Sequence, residues 1–145
     1  MTRPLEPLEL QRIHDSLPRA APRRVHRDER RARSGHHGAV VLLRGDDPIA
    51  RATLGTALER ALFERGVNAA LLEGDADLRP SLVESAHALA RAGVVAILTA
   101  VRAPGARMLR RDRGFLTVEG AAPAKLDEVL ARALPLLTEG DGDFD

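Results

Sequence analysis

Residues 39–75 constrain the fold of this chain more than any other stretch. Residues 39–43 form a short unbroken apolar run, the pattern of a strand covered on both faces. A turn of Arg44-Gly-Asp-Asp-Pro48 follows. Apolar residues then recur at 50, 54, 57, 58, 61 and 62, the period of an amphipathic helix that runs to Arg65. Gly66 sits where a helix C-terminal glycine belongs. Residues 67–72 read as a second buried strand ending on Glu73-Gly-Asp75.

The same alternation continues. Pro80 suits the first turn of a helix, and Leu82, Val83, Ala86, Leu89 and Ala90 form its apolar face before Gly93 closes it. Residues 94–100 read as a third strand and 115–118 as a fourth, with a polar, basic loop or helical turn at 104–113. Pro123 opens a last helix whose face carries Leu126, Val129, Leu130, Ala133, Leu134 and Leu137. Strands alternating with helices imply crossovers and a parallel sheet. The expectation is an α/β domain over residues 36–138, three-layered α/β/α, with a small parallel sheet of about four strands. Ligands of such sheets sit at the carboxyl ends of the strands, here residues 44–51, 73–79 and 101–104.

The flanks differ in character. Residues 1–35 are an Arg/Pro-rich arm, with nine arginines against five acids, and residues 139–145 are an acidic tail. Asp28 and Glu29 interrupt the basic run and no nucleic-acid motif follows, so nucleic acid is not the expected partner. Three phenylalanines are the only aromatics, too few for a base-stacking surface. The chain has no cysteine, which excludes disulfides and thiolate sites. No apolar run approaches the roughly 18 residues of a membrane span and no signal-peptide pattern opens the chain, so a cytoplasmic protein is expected. Gly35-His36-His37-Gly38 reads as a flexible joint. With His14, His26 and His87 elsewhere, no spacing of metal ligands emerges and no metal site is expected.

Three segments carry a resemblance to a known family. They are Gly38-Ala-Val-Val-Leu-Leu-Arg-Gly45, the helix Leu54-Gly-Thr-Ala-Leu-Glu-Arg-Ala-Leu-Phe-Glu-Arg-Gly66, and Leu71-Leu-Glu-Gly-Asp75. The match continues through Leu89-Ala-Arg-Ala-Gly-Val-Val-Ala-Ile-Leu-Thr-Ala100 and Arg102-Ala-Pro104. Together they resemble adenylylsulfate kinase, a family of P-loop NTPase fold. The resemblance implies transfer of the γ-phosphate of ATP to the 3′-hydroxyl of adenylylsulfate, with Mg²⁺.

The chain departs from the family where chemistry is done. The family's phosphate loop, Gly-x-x-Gly-x-Gly-Lys-Ser-Thr, falls on residues 45–53 and leaves only Gly45 and Thr53 in place. Pro48 removes a backbone N–H and fixes φ. Asp46 and Asp47 put carboxylates beside the expected anion, and one like-charge pair at about 4 Å costs on the order of 4 kcal/mol at an effective dielectric near 20. Arg51 keeps a positive charge without lysine's compact ammonium. Ala52 lacks the hydroxyl that would hold Mg²⁺. The family's Asp-Gly-Asp-Asn-x-Arg is closer, as Glu73-Gly-Asp75-Ala-Asp-Leu-Arg79. Its Phe-Ile-Ser-Pro becomes Val101-Arg102-Ala103-Pro104, and the substrate-holding segment after its Arg motif is absent, since Arg79 runs straight into the next helix.

The resemblance marks Gly45, Arg51 and Thr53 as remnants of the phosphate loop, Glu73 and Asp75 as candidate catalytic carboxylates, and Arg79 and Arg102 as candidate substrate contacts. The expectation is a degenerate, non-catalytic relative that binds or scaffolds in sulfate assimilation. It would need no cofactor, and its partner would be a second copy or another sulfate-assimilation enzyme. The alternative is an active small-molecule kinase or nucleotide binder using ATP and Mg²⁺, with Arg44, Arg51, Arg79 and Arg102 forming an arginine pocket for phosphate.

Overall fold

The computed structural model describes residues 35–74, 76–103 and 114–138, with isolated positions 25, 29, 32 and 33. The expectations for most of the N-terminal arm, for Asp75, for the loop at 104–113 and for the acidic tail lie outside these residues.

Strand β1 (Ala39–Arg44) leads into helix α1 (Pro48–Glu64), then β2 (Ala69–Glu73), α2 (Pro80–Arg91), β3 (Val95–Ala100) and β4 (Phe115–Val118). A single 3₁₀ turn (Pro123–Lys125) then opens α3 (Leu126–Thr138). The four strands form one sheet in the order β2-β3-β1-β4, and every pairing is parallel. β1 lies between β3 and β4 with Ala39 opposite Val95 and Val40 opposite Phe115. It is therefore covered on both edges and both faces, as its unbroken apolar run requires.

The two-residue period of the strands divides the core in two. Val41, Leu43, Ile97, Leu116 and Val118 face α1 and α3, where Leu54, Leu58, Leu62, Val129 and Leu137 meet them. Val40, Leu42, Ala96 and Leu98 face α2, through Val83, Ala86 and Ala90, with Leu78 sealing the top. The result is the expected three-layer α/β/α arrangement.

Both long crossover helices stop in the same way. Gly66 (φ +76°) and Gly93 (φ +87°) adopt the left-handed conformation that ends a helix without a Cβ clash. Val67 N–H returns to Leu62 O at 2.9 Å, and Val94 N–H to Leu89 O at 2.9 Å. This capping uses Val67, so β2 begins at Ala69, two residues later than the sequence pattern suggests.

The Gly35–Gly38 segment is not a flexible joint. His36 and His37 are buried. His37 N–H donates to Leu137 O at 2.8 Å, which ties the lead-in of β1 to the end of α3. His36 Nδ1 donates to His37 O at 2.8 Å while its Nε2 accepts Asn68 N–H at 3.2 Å, which fixes the tautomer and links the segment to the start of β2. A Cβ on Gly38 would lie 1.9 Å from Ala90 O, so glycine is there because the α2 backbone leaves no room. No helix of the described residues is long and apolar enough to cross a membrane.

Candidate functional site

The turn after β1 is where an α/β protein of this type would hold phosphate. Its helix offers few donors. Pro48, the first residue of α1, has no N–H. Asp47 stands in extended conformation as the N-cap, and its carboxylate accepts Ile49 N–H at 2.9 Å and Ala50 N–H at 3.3 Å. Arg51 N–H bonds Asp47 O at 3.0 Å. The first-turn amides that a helix leaves open to an anion are thus already occupied. The negative group at the positive end of the helix dipole is the chain's own.

The three loop residues singled out in the sequence have local partners. Gly45 N–H donates to Ala100 O at 3.3 Å, across to the end of β3. Arg51 is buried at 6 % exposure, and its Nη1 turns back to Gly45 O. Among the described residues its Nε has no hydrogen-bond partner. Thr53, exposed, donates its hydroxyl to Ile49 O at 2.7 Å, one turn back along the helix.

A second arrangement lies at the carboxyl ends of β1, β2 and β3. Arg44, Asp77, Leu78, Arg79, Pro80, Arg102 and Ala103 line an open cleft of about 670 Å³. The sheet continues past its named strands to build it. Asp77 and Arg102 form an isolated parallel bridge, Leu78 N–H donates to Arg102 O at 2.8 Å, and Val101 N–H donates to Ala76 O at 2.9 Å. Arg102 Nε donates to Asp77 Oδ1 at 2.6 Å. That hydrogen bond first, and then the charge attraction of the same carboxylate, raises the Arg102 pKa above the ordinary arginine value. Arg44 reaches over the end of β3, with Nε and Nη2 on Val101 O at 3.2 and 3.1 Å and Nη1 on Glu119 Oε1 at 3.0 Å. Arg79 holds the N-cap position of α2 and gives that helix no side-chain cap.

Of the four arginines expected to share one pocket, the structure brings Arg44, Arg79 and Arg102 to one cleft and leaves Arg51 out of it, buried beneath the turn. Glu73 is exposed at the end of β2 and does not line the cleft. Asp75 lies outside the described residues. Asp77 is a cleft residue that the sequence did not single out within the Glu73–Arg79 stretch. The signal for its role is its place two residues beyond Asp75, on the extension of β2 that pairs with Arg102. Among the described residues, no group of three His, Asp or Glu side chains comes together to hold a metal ion.

No family model matches the chain. It is 33% identical over 124 residues to an adenylyl-sulfate kinase of Shewanella amazonensis, a match covering 80% of this chain and 55% of that protein. An adenylyl-sulfate kinase of Yersinia pestis is 43% identical over 54 residues, which are 37% of this chain and 25% of the relative. One of Staphylococcus carnosus is 41% identical over 51 residues, 35% of this chain and 26% of the relative. The chain thus spans about half the length, or less, of the curated relatives it matches. Along most of its own length it is similar to adenylyl-sulfate kinases.

Proposed function

We propose that this chain is an adenylyl-sulfate-kinase-like domain of sulfate metabolism that transfers no phosphate and acts as a binding or scaffolding subunit. The observation that carries this reading is the Asp47 cap, a carboxylate bonded to the first-turn amides of α1. A triphosphate docking there would have to displace Asp47 or sit beside it. Sitting beside it costs on the order of 4 kcal/mol per like-charge pair at about 4 Å and an effective dielectric near 20. Displacing it leaves a turn with Pro48 in place of an N–H donor.

Phosphoryl transfer works by positioning and charge stabilisation, with little covalent chemistry from the protein. Both supports are weak here. Arg51 is turned onto Gly45 O, Ala52 has no hydroxyl for Mg²⁺, and the hydroxyl of Thr53 is bonded to Ile49 O. The turn sits on a packed core on both faces of the sheet, which suits a chain whose role is to hold a partner. That partner would be an enzyme of sulfate assimilation or a second copy of the chain.

Calorimetry with ATP and ADP, each with and without Mg²⁺, tests the reading, together with an assay for ADP formed when ATP and adenylyl sulfate are supplied jointly. No heat at millimolar nucleotide and no ADP are expected. Micromolar ATP binding that Arg51→Ala abolishes would favour the other reading, an active kinase or nucleotide binder that holds phosphate through arginine.

A further inference from the structure

We propose that the outer ridge of α1 pairs with the same ridge of a second copy of this chain, antiparallel, about a two-fold axis at Thr56. A second copy is one of the partners that the scaffolding reading allows, and the proposal rests on that reading. Nucleotide binding would overturn the reading and leave the self-association untouched.

Ile49 and Phe63 are 75% and 67% exposed, and both belong to α1. A single exposed apolar residue needs no explanation, but these two share one ridge. The exposed positions 49, 53, 56, 60 and 63 alternate steps of four and three, so Ile49, Thr53, Thr56, Arg60 and Phe63 form one line along the helix. It lies opposite Leu54, Leu58 and Leu62, which hold α1 to the sheet. The exposed positions of α2 and α3 are polar, alanine or proline.

The order of side chains along the ridge selects a second copy. Ile49 and Phe63 each lie seven residues from Thr56, two helical turns or about 10 Å. In an isologous pair residue i meets j as j meets i. A two-fold axis at Thr56 therefore sets Ile49 of each copy against Phe63 of the other, at both ends at once. Thr53 and Thr56 at the centre are small enough for the helices to approach to roughly 8–10 Å. Charge fixes the direction. Arg60, its guanidinium 5.6 Å from the centre of the Phe63 ring, lies toward the carboxyl end, and the exposed Asp46 and Asp47 lie just before the amino end. Antiparallel helices bring each Arg60 toward the two acids of the other copy and oppose the helix dipoles. Parallel helices would set Arg60 against Arg60 and acid against acid. The ridge of one helix buries less than the roughly 1,200 Å² of a standard interface, so the dimer is of the weak, transient class.

Sedimentation equilibrium of the full chain from about 5 µM to about 1 mM, the span in which a weak interface shows, tests the pairing. A monomer at the low end, a dimer at the high end and nothing larger are expected. Ile49→Ser and Phe63→Ser each remove an apolar contact at both ends and should raise the dissociation constant about tenfold. Circular dichroism and melting should stay unchanged, because both side chains are exposed. The chain has no cysteine, so Thr56→Cys supplies its only thiol. A residue on the two-fold axis comes close enough to its own copy for a disulfide. Mild oxidation should link that variant into dimers far faster than Arg91→Cys, at the exposed end of α2. A mixture of Ile49→Cys and Phe63→Cys chains should give mixed dimers in excess over either variant with itself. A chain that stays monomeric to about 1 mM would overturn the proposal and leave the ridge to a different protein. So would a dimer indifferent to both serine variants, or equal cross-linking of Arg91→Cys. Like-with-like linking at 49 and 63 would mark a parallel pair and overturn it too.

Discussion

A helix N-terminus stabilises whatever acceptor reaches it first, and in α1 that acceptor is Asp47, one residue before the helix. Two substitutions separate its hydrogen bonds from its charge. Asp47→Ala leaves Ile49 and Ala50 N–H without their acceptor and should lower stability by about 1 kcal/mol, read from a shifted urea midpoint. Asp47→Asn keeps an acceptor of equal capping rank and should cost only a few tenths of a kcal/mol. Equal losses in the two variants would mean that the charge, and not the cap, holds the turn. Gly38 tests the opposite kind of constraint. Its missing Cβ would overlap Ala90 O at 1.9 Å, a backbone atom that cannot swing aside. Gly38→Ala must push α2 off β1, and a loss of about 3 kcal/mol or failure to fold is expected. A variant with an unchanged melting curve would show that this contact gives way easily.

At the scale of elements, the outer strands of the sheet have to be kept from pairing with other molecules. β2 ends the sheet on one side, and Glu59 reaches from α1 to accept Leu71 N–H at 2.7 Å. Glu59→Ala should lower stability by about 1 kcal/mol and carry sedimentation past the dimer as the bared edge finds partners. Glu59→Gln, which keeps an oxygen acceptor, should restore most of both. Sedimentation unchanged by Glu59→Ala would show that the edge is protected by something else. The elements themselves were legible because their signals are local. The apolar period at 54, 58 and 62 and the glycines at 66 and 93 place α1 and the helix ends from nearest neighbours alone. Glu59 on Leu71 was not legible, since it depends on how a helix settles over a strand. The burial of His36 and His37 was missed for the same reason. A glycine-flanked pair reads as a hinge until Leu137, at the other end of the domain, is brought against it. Asp47 was legible in type and misread in role. Asp before Pro is a helix-cap pattern, while the loop register made it a carboxylate beside an anion. Which of the two it is depends on a rotamer.

For the whole molecule, a turn closed by Asp47 and a turn that holds nucleotide make opposite demands on ligand-linked stability. A ligand that binds only the folded chain stabilises it by about 2.7 kcal/mol at a hundred times its Kd. In a domain of this size that is on the order of 10 °C in Tm. ATP with Mg²⁺ at millimolar concentration should therefore leave Tm where sodium chloride of equal ionic strength leaves it, because Asp47 occupies the amides that triphosphate would need. The cross-comparison separates the causes. A rise with ATP that survives Arg102→Gln and vanishes with Arg51→Ala would mean that Asp47 has swung aside and the turn holds phosphate. A rise with ATP that vanishes with Arg102→Gln would assign the nucleotide's phosphates to the arginine cleft. Only the first would bring an attacking hydroxyl and the γ-phosphate back to the place where the fold could align them, and so only the first would reopen phosphoryl transfer as this chain's work.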